Sequence, residues 1–412
     1  MTTQIQHCSV RLRFFPIRTL WLLTLAVLVT AASPAMAQTY GGRAFSALVN
    51  APTLGVGPLY LSDTGPLSSS GDWLGAGSLS ENVPAILSAD VMNATTSGLD
   101  GGASSIASLA DIAVFSGQPA ALTASFVSAQ SQAGIGGGSA TIQVFDLTFG
   151  GLPVTVTGLP NQVVSLPGVA TLIINEQTIS TDGNSAVVNA LRLTLATGDQ
   201  VTLASASSQV IPAGLTPLAS LSISSCTSAA SATTRATVTR KPRRIFPVWV
   251  NGGCIDFVTG GGFIEPPHSY TAGRANFGFN AGPRSVENQT LKGELNLIDH
   301  STGDHVQGTT VDDYFPFSGD TDHCRTFTGD AKFNDASGYR YVATVCDYGE
   351  PGRDDRFVIH VTLGGSDVYF NDNFDPSKVP YKGDLPGGNI QLHKSKCPKT
   401  SSTSSSSSMT AF

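Results

Sequence analysis

The chain has 412 residues, 41% hydrophobic and only 13% charged, with 44 Gly and 23 Pro. So little charge among so many turn-forming residues excludes a helical bundle or coiled coil, which needs Leu, Glu and Lys at helical spacing. A formal net charge of −7 argues against a partner held by phosphate neutralisation, so no nucleic acid is expected.

The N-terminus reads as an export signal. Arg11, Arg13 and Arg18 precede an apolar run from Leu20 to Val29, and small residues follow up to Ala35-Met36-Ala37. A basic segment, a short apolar core and an A-x-A site are what a signal peptidase recognises. The apolar core falls short of the about 20 residues that span a bilayer. Cleavage is expected near Ala37-Gln38, making residues 1–37 the signal peptide. No later stretch reaches spanning length, so the mature chain is expected to carry no transmembrane anchor and to be secreted or held at a cell surface.

From Phe45 to Val210 there are 10 acidic residues and one basic residue, Arg192. Leu191, Leu193 and Leu195 alternate with Arg192 and Thr194, as in a half-buried strand. In Ile142, Val144, Phe145, Leu147 and Phe149 the apolar parity switches after Val144, so a β-bulge is expected there. Gly-Leu-Pro at 151–153, Leu-Pro-Asn at 159–161 and Leu-Pro-Gly at 166–168 punctuate short strands. Residues 211–247 read as a linker. Their second half is basic (Arg235, Arg240, Lys241, Arg243, Arg244), and such residues in linkers are commonly just solvated.

From Val248 to Cys397 the count is 20 acidic and 12 basic residues. Phe277 and Phe279 alternate with Asn276 and Asn280; Leu291, Leu295 and Leu297 share a parity; Phe357, Ile359, Val361 and Leu363 form another alternating run. Arg325–Phe333 and Tyr339–Val345 flank Asp335-Ala336-Ser337-Gly338, a β-hairpin signal. Residues 398–412 form a Ser-rich tail, expected to be disordered. The fold class is therefore all-β: two antiparallel sandwich or barrel-like domains joined by a Ser/Ala/Arg-rich linker.

Beyond the signal lie Cys226, Cys254, Cys324, Cys346 and Cys397, and an exported chain meets an oxidising environment. Setting Phe333 opposite Tyr339 places Cys324 and Cys346 diagonally on one face, where a small bulge brings them within bridging distance. Cys254 and Cys397 open and close the second domain, and a bridge between them would tie its ends. Cys226 is left over, free to take Cys254 instead or to serve an intermolecular link. A zinc site is the alternative use of these cysteines, but no C-x-x-C or Cys…His ligand spacing supports it.

Asn175-Glu176-Gln177, Val188-Asn189-Ala190-Leu191 and Ala204-Ser205-Ala206-Ser207-Ser208 occur in an order that resembles the choice-of-anchor P family, over about residues 44–210. Phe257–Ile264, Asn276–Phe279, Ile298-Asp299-His300, Asp347–Asp355 and Gly387–Lys394 are similar to the post-COAP-1 domain, over residues 248–397. The resemblance implies an exported bacterial surface or secreted protein and brings no catalytic residues. The chain departs from the family by ending in Ser residues without a sortase motif or hydrophobic tail, which favours free secretion or indirect attachment.

Three constellations bear on chemistry. Asp347, Glu350, Asp354 and Asp355 crowd one loop and offer oxygens to Ca²⁺, although Arg353 and Arg356 sit among them and the EF-hand order is absent. Asp320 and Asp322 are a weaker pair of that kind. Asp299-His300 and Asp304-His305 bracket a Gly-containing turn, where metal ligation or acid–base work competes with decoration of a hairpin loop. His360 and His393 are expected at the surface, and Tyr369 and Phe370 are candidates for stacking on sugars. Gly260-Gly261-Gly262 lacks the helix of a phosphate loop and reads as room for close packing. The expected function is non-catalytic: an exported structural or adhesion-type module whose partner is extracellular matrix, cell wall or carbohydrate. The alternatives are an enzyme acting on extracellular polysaccharide and a calcium-stabilised carbohydrate-binding module.

Overall fold

The computed structural model describes residues 38–99, 101–134, 137–212, 256–265, 273–283, 290–350, 352–371 and 385–394. The expected signal, the linker beyond residue 212, Cys226, Cys254, Cys397 and the tail lie outside the described residues. Within them the protein is all-β, with antiparallel strands in three sheets.

The strands are β1 (Thr39–Ala51), β2 (Val56–Asp63), β3 (Asp72–Val83), β4 (Leu87–Leu99), β5 (Gly102–Val114), β6 (Leu122–Gly134), β7 (Ser139–Phe145), β8 (Thr148–Phe149), β9 (Leu152–Pro153), β10 (Gln162–Leu166), β11 (Ala170–Ile179), β12 (Ser185–Leu195) and β13 (Gln200–Ile211). They are followed by β14 (Asp256–Ile264), β15 (Ala275–Pro283), β16 (Leu291–Asp299), β17 (Asp304–Gly308), β18 (Asp313–Pro316), β19 (Cys324–Phe333), β20 (Ala336–Cys346), β21 (Arg356–Leu363), β22 (Ser366–Phe370) and β23 (Gly387–Lys394). An outer sheet runs β10-β11-β12-β13-β1-β2, and a middle sheet runs β3-β4-β5-β6-β8-β9 with β7 also on β6. The third runs β22-β21-β20-β19-β17-β16-β15-β14-β23, with β18 on β19, and curls into a half-barrel.

The middle sheet is covered on both faces. Toward the outer sheet it presents Met92, Ala94, Ala107, Leu109, Val127 and Ala129, which join Ala47, Val188, Leu191 and Leu203 in one apolar core. Small side chains on facing strands let the two sheets approach closely, and the stabilisation is the usual ~25 cal/mol per Å² of apolar surface removed from water. The opposite parity of the same strands carries Asn93, Thr95, Ser97, Ser108, Ser128 and Gln130, all buried against the half-barrel.

The half-barrel repeats this division. Phe277, Phe279, Phe327 and Phe357 fill its inside, with Phe277 and Phe357 stacked at 4.0 Å between ring centroids. The alternation of β15 is thus as expected, but its polar face does not meet solvent: Asn276 and Asn280 are 1% and 2% exposed. They lie against the middle sheet. The Gly260–Gly262 run serves both faces. A Cβ at Gly260 would meet the Phe279 ring at 2.8 Å inside, and one at Gly261 would meet the Ser108 hydroxyl at 2.3 Å outside.

Cross-layer hydrogen bonds hold the polar interface. Asn93 Nδ2 donates to Gly260 O at 3.3 Å, Ser104 Oγ to Gln391 Oε1 at 3.1 Å, and Asn389 Nδ2 to Gln130 Oε1 at 3.1 Å. Gln143 brackets Gly388, accepting its N–H at 2.8 Å and donating to its carbonyl at 2.9 Å. Each such bond is worth about 0.5–1.5 kcal/mol net, but an orphaned partner costs about 1–3 kcal/mol. At one end Trp73 Nε1 donates to Pro283 O at 3.0 Å. Its ring stacks on Phe257 at 4.9 Å, which stacks on His393 at 4.3 Å, with Lys292 Nζ 4.0 Å above the indole.

Two local expectations are corrected. After Val144 the β6 pairing keeps its register from Phe145 to Thr148; the parity switch is made by Asp146, which has φ of 53° and ends β7. Phe145 consequently points the other way, onto Phe263 of the half-barrel at 5.4 Å. The 324–346 hairpin is tighter than expected. Asn334 and Asp335 form a two-residue turn with φ of 48° and 65°, as a type I′ connection requires, and pair Phe333 with Ala336. A bulge between Ala331 and Lys332 then sets Cys324 directly opposite Cys346, Cα atoms 4.1 Å apart and joined as a disulfide.

The disulfide closes a 22-residue separation, so Cys324→Ala/Cys346→Ala is expected to lower stability by about 3 kcal/mol in denaturant titration. His393 is half-buried in the ring stack rather than at the surface, and burial pushes its imidazole down to about 3. Between about pH 6.5 and that value the unfolded chain binds the proton and the folded chain does not, so stability falls as pH falls. His393→Phe keeps a stacked ring without the charge; urea midpoints at pH 7 and pH 5 are expected to differ less in that variant than in the wild type.

Candidate functional site

The carboxylates of the 347–355 loop act on the protein itself. Asp355 is fully buried and accepts N–H bonds from Tyr348 at 2.9 Å and Ile390 at 2.7 Å. Burial nevertheless pushes its carboxyl up to about 7, against those two bonds and with help from Asp347 and Glu350. Asp347 accepts from Gly349 N at 3.0 Å and Leu392 N at 2.8 Å. Glu350 accepts from Gln130 and Asn389 amides, both at 3.1 Å, and Asp354 lies on the exposed side. The four residues proposed for Ca²⁺ therefore diverge: three fasten the loop to β23 or β6, and one faces solvent.

The group that converges lies elsewhere. Asp90, Asp111 and His300 bring their ligand atoms within 4.8 Å of one another. Asp90 and Asp111 sit on irregular stretches of β4 and β5. The register slips between Ser88 and Asp90 and again before Asn93, and Val91 and Asp111 have φ of 43° and 46°. The irregularity turns both carboxylates toward the half-barrel. His300 comes from the turn after β16, fixed by its N–H to Arg274 O at 2.9 Å. The preceding Asp299 is buried and accepts from Ser301 and from the Tyr369 hydroxyl at 3.0 Å. Tyr369 is thus buried, not a sugar-stacking surface ring.

His300 Nε2 lies 2.8 Å from Asp111 Oδ2, both side chains one-third or more exposed. Asn276 Nδ2 donates to the same Asp111 oxygen and lies 2.9 Å from His300 Nε2. The hydrogen bond to Asp111 raises the His300 pKa above its ordinary value; burial opposes it, and Asp90 and Asp299 add to it. Asp90 is also raised, by burial and by Asp111, with His300 and His305 opposing. Beside the cluster Arg274 binds Ser125 at 2.6 Å and Asp146 at 3.0 Å, its guanidinium 4.4 Å from the Phe263 ring centre.

A groove of about 360 Å³ lies at the other end of the same interface, lined in part by Ser97, Ser104, Gln132, Gln391, His393 and Lys394. The Asp299-His300 pair was visible in the sequence as a candidate. Asp90 and Asp111 were not, because only the bulges and the packing of the two sheets bring them there. Asp320 instead orders its own turn, binding the His323 ring at 3.0 Å and the Tyr348 hydroxyl at 3.1 Å. No family model, curated protein or solved structure matches this chain.

In chelated buffer, NMR titration of His300 is expected to give a pKa above that of a free imidazole. Asp111→Asn removes the acceptor charge, and the His300 pKa is expected to drop.

Proposed function

We propose that this chain is an exported, non-catalytic module that works structurally or adhesively at a cell surface or beyond it. The observation that carries the reading is how its polar side chains are used. Amides, hydroxyls and carboxylates that the sequence offers as chemistry bind backbone groups and neighbouring layers, as Asp347, Asp355, Gln130 and Asn389 do. Such bonds make a stiff scaffold whose surface variation is left to loops and sheet edges. The signal-like N-terminus and a cross-strand disulfide fit an oxidising compartment, and the resemblance to choice-of-anchor P proteins supports the same location. The polar groove beside Gln391 and Lys394 favours a neutral polyhydroxy ligand as a second reading, a carbohydrate-binding module.

Expressed as the full chain in a bacterium, the protein is expected outside the cytoplasm with Gln38 as its first residue by N-terminal sequencing. Retention in the cytoplasm with reduced cysteines would overturn the location. Screening the same material on glycan and matrix-protein arrays separates the readings: glycan capture weakened by Gln391→Ala supports the carbohydrate module, and capture by matrix protein supports adhesion.

A further inference from the structure

The contacts among Asp111, His300 and Asn276 cannot all be hydrogen bonds. His300 Nε2 has one in-plane position. If it carries a proton for Asp111, it cannot accept from Asn276 Nδ2; if it accepts from Asn276, it repels the carboxylate. Rotating the Asn276 amide by half a turn mends the imidazole contact and sets a carbonyl oxygen against the carboxylate instead. While Asp111 is ionised, no proton arrangement makes all three contacts hydrogen bonds: at best both N–H groups donate to the one carboxylate oxygen and the two nitrogens stand against each other at 2.9 Å.

A second observation is independent of these contacts. Asn276 is 1% exposed, and its Oδ1 is buried without a hydrogen-bond partner. A buried carbonyl oxygen left unpaired costs about 1–3 kcal/mol, and oxygen and nitrogen of an amide exchange places by that same half-turn. The turn aims Oδ1 at the space between Asp111 and His300.

We propose that Asp90, Asp111, His300 and the rotated Asn276 bind a divalent first-row transition ion of the Zn²⁺ type. A cation accepts from all of them at once: two carboxylates, one imidazole nitrogen lone pair and one amide oxygen. Ligand distances of about 2.0–2.2 Å put tetrahedral ligand atoms roughly 3.3 Å apart, so His300 Nε2, now 2.8 Å from Asp111 and 2.9 Å from the Asn276 amide, has only to draw back a little as the ion enters, with Asp90 already within 4.8 Å of Asp111 and His300. Ca²⁺ is the poorer fit, because it wants six to eight oxygens and takes imidazole badly. The partial exposure of Asp111 and His300 supplies the entry path. Asp90 and Asp111 belong to the middle sheet while Asn276 and His300 belong to the half-barrel, so the ion would clamp the two layers together. The inference does not depend on where the chain works or what it binds.

The test uses the purified chain, stripped with chelator and titrated with Zn²⁺ by calorimetry, with thermal unfolding in parallel. One ion per chain and a raised Tm with Zn²⁺ are expected, with no matching rise in equimolar Ca²⁺. Co²⁺ is expected to give the visible absorption of a four-coordinate site. His300→Ala and Asp111→Asn should each weaken Zn²⁺ binding at least about tenfold, since even outer partners of metal ligands command that much. Asn276→Asp supplies a carboxylate in place of the amide and should bind Zn²⁺ at least as well as the wild type, which keeps the test decisive if another variant folds poorly. His305→Ala, nearby but outside the ligand set, should leave affinity unchanged. No Zn²⁺ uptake, equal stabilisation by Ca²⁺, or affinity indifferent to His300→Ala would overturn the proposal.

Discussion

The molecule depends on a buried contact between two polar sheet faces. A strand in an antiparallel sheet ordinarily turns its polar parity to water. Here β4, β5 and β6 have no watered face: their apolar parity meets the outer sheet, and their hydroxyl and amide parity meets Asn276, Asn280 and Asn296 of the half-barrel. Two polar faces can be buried together only where donors find acceptors and backbones come close enough for short side chains to reach. Small residues supply the closeness: a Cβ at Gly278 would stand 2.8 Å from the Asn93 Cβ. The amide bonds of Asn93, Gln130 and Gln143 supply the pairing. Because a broken pair in such a place costs more than an intact one contributes, the interface selects one register of sheet on sheet.

The aromatic residues are distributed accordingly. The largest group among the described residues lies inside the half-barrel, where Phe277, Phe279, Phe327 and Phe357 pack ring on ring. A few seal the rim of the polar interface. Phe126, Phe145 and Phe263 close it at one place, and the Trp73, Phe257 and His393 stack closes it at another. Excluding water around the amides strengthens their bonds, and it also explains why His393 resists protonation.

Much of this was legible in the residues. The strand alternation of β12, β15 and β21 follows from period two, and the Cys324–Cys346 link from a hairpin with one bulge. Its register was not, because the two-residue Asn334-Asp335 turn depends on positive φ at residues whose neighbours offered a Gly-containing alternative. Nor was the burial of Asn276 and Asn280. Alternation tells which residues share a face and is silent on whether that face meets water or another sheet. The metal-ligand cluster was half legible for the same reason. His300 stands in a recognisable Asp-His pair, whereas Asp90 and Asp111 are solitary acids that two bulges bring across from another layer.

The polar character of the middle sheet's second face also bears on synthesis. Strand β14 needs β23 as a neighbour, so the half-barrel cannot close until the chain has emerged as far as Lys394. The sandwich formed by the leading half must wait meanwhile with one side uncovered. Because that side shows mainly Asn, Ser, Thr and Gln, the unfinished chain stays wetted and offers few oily surfaces to its neighbours.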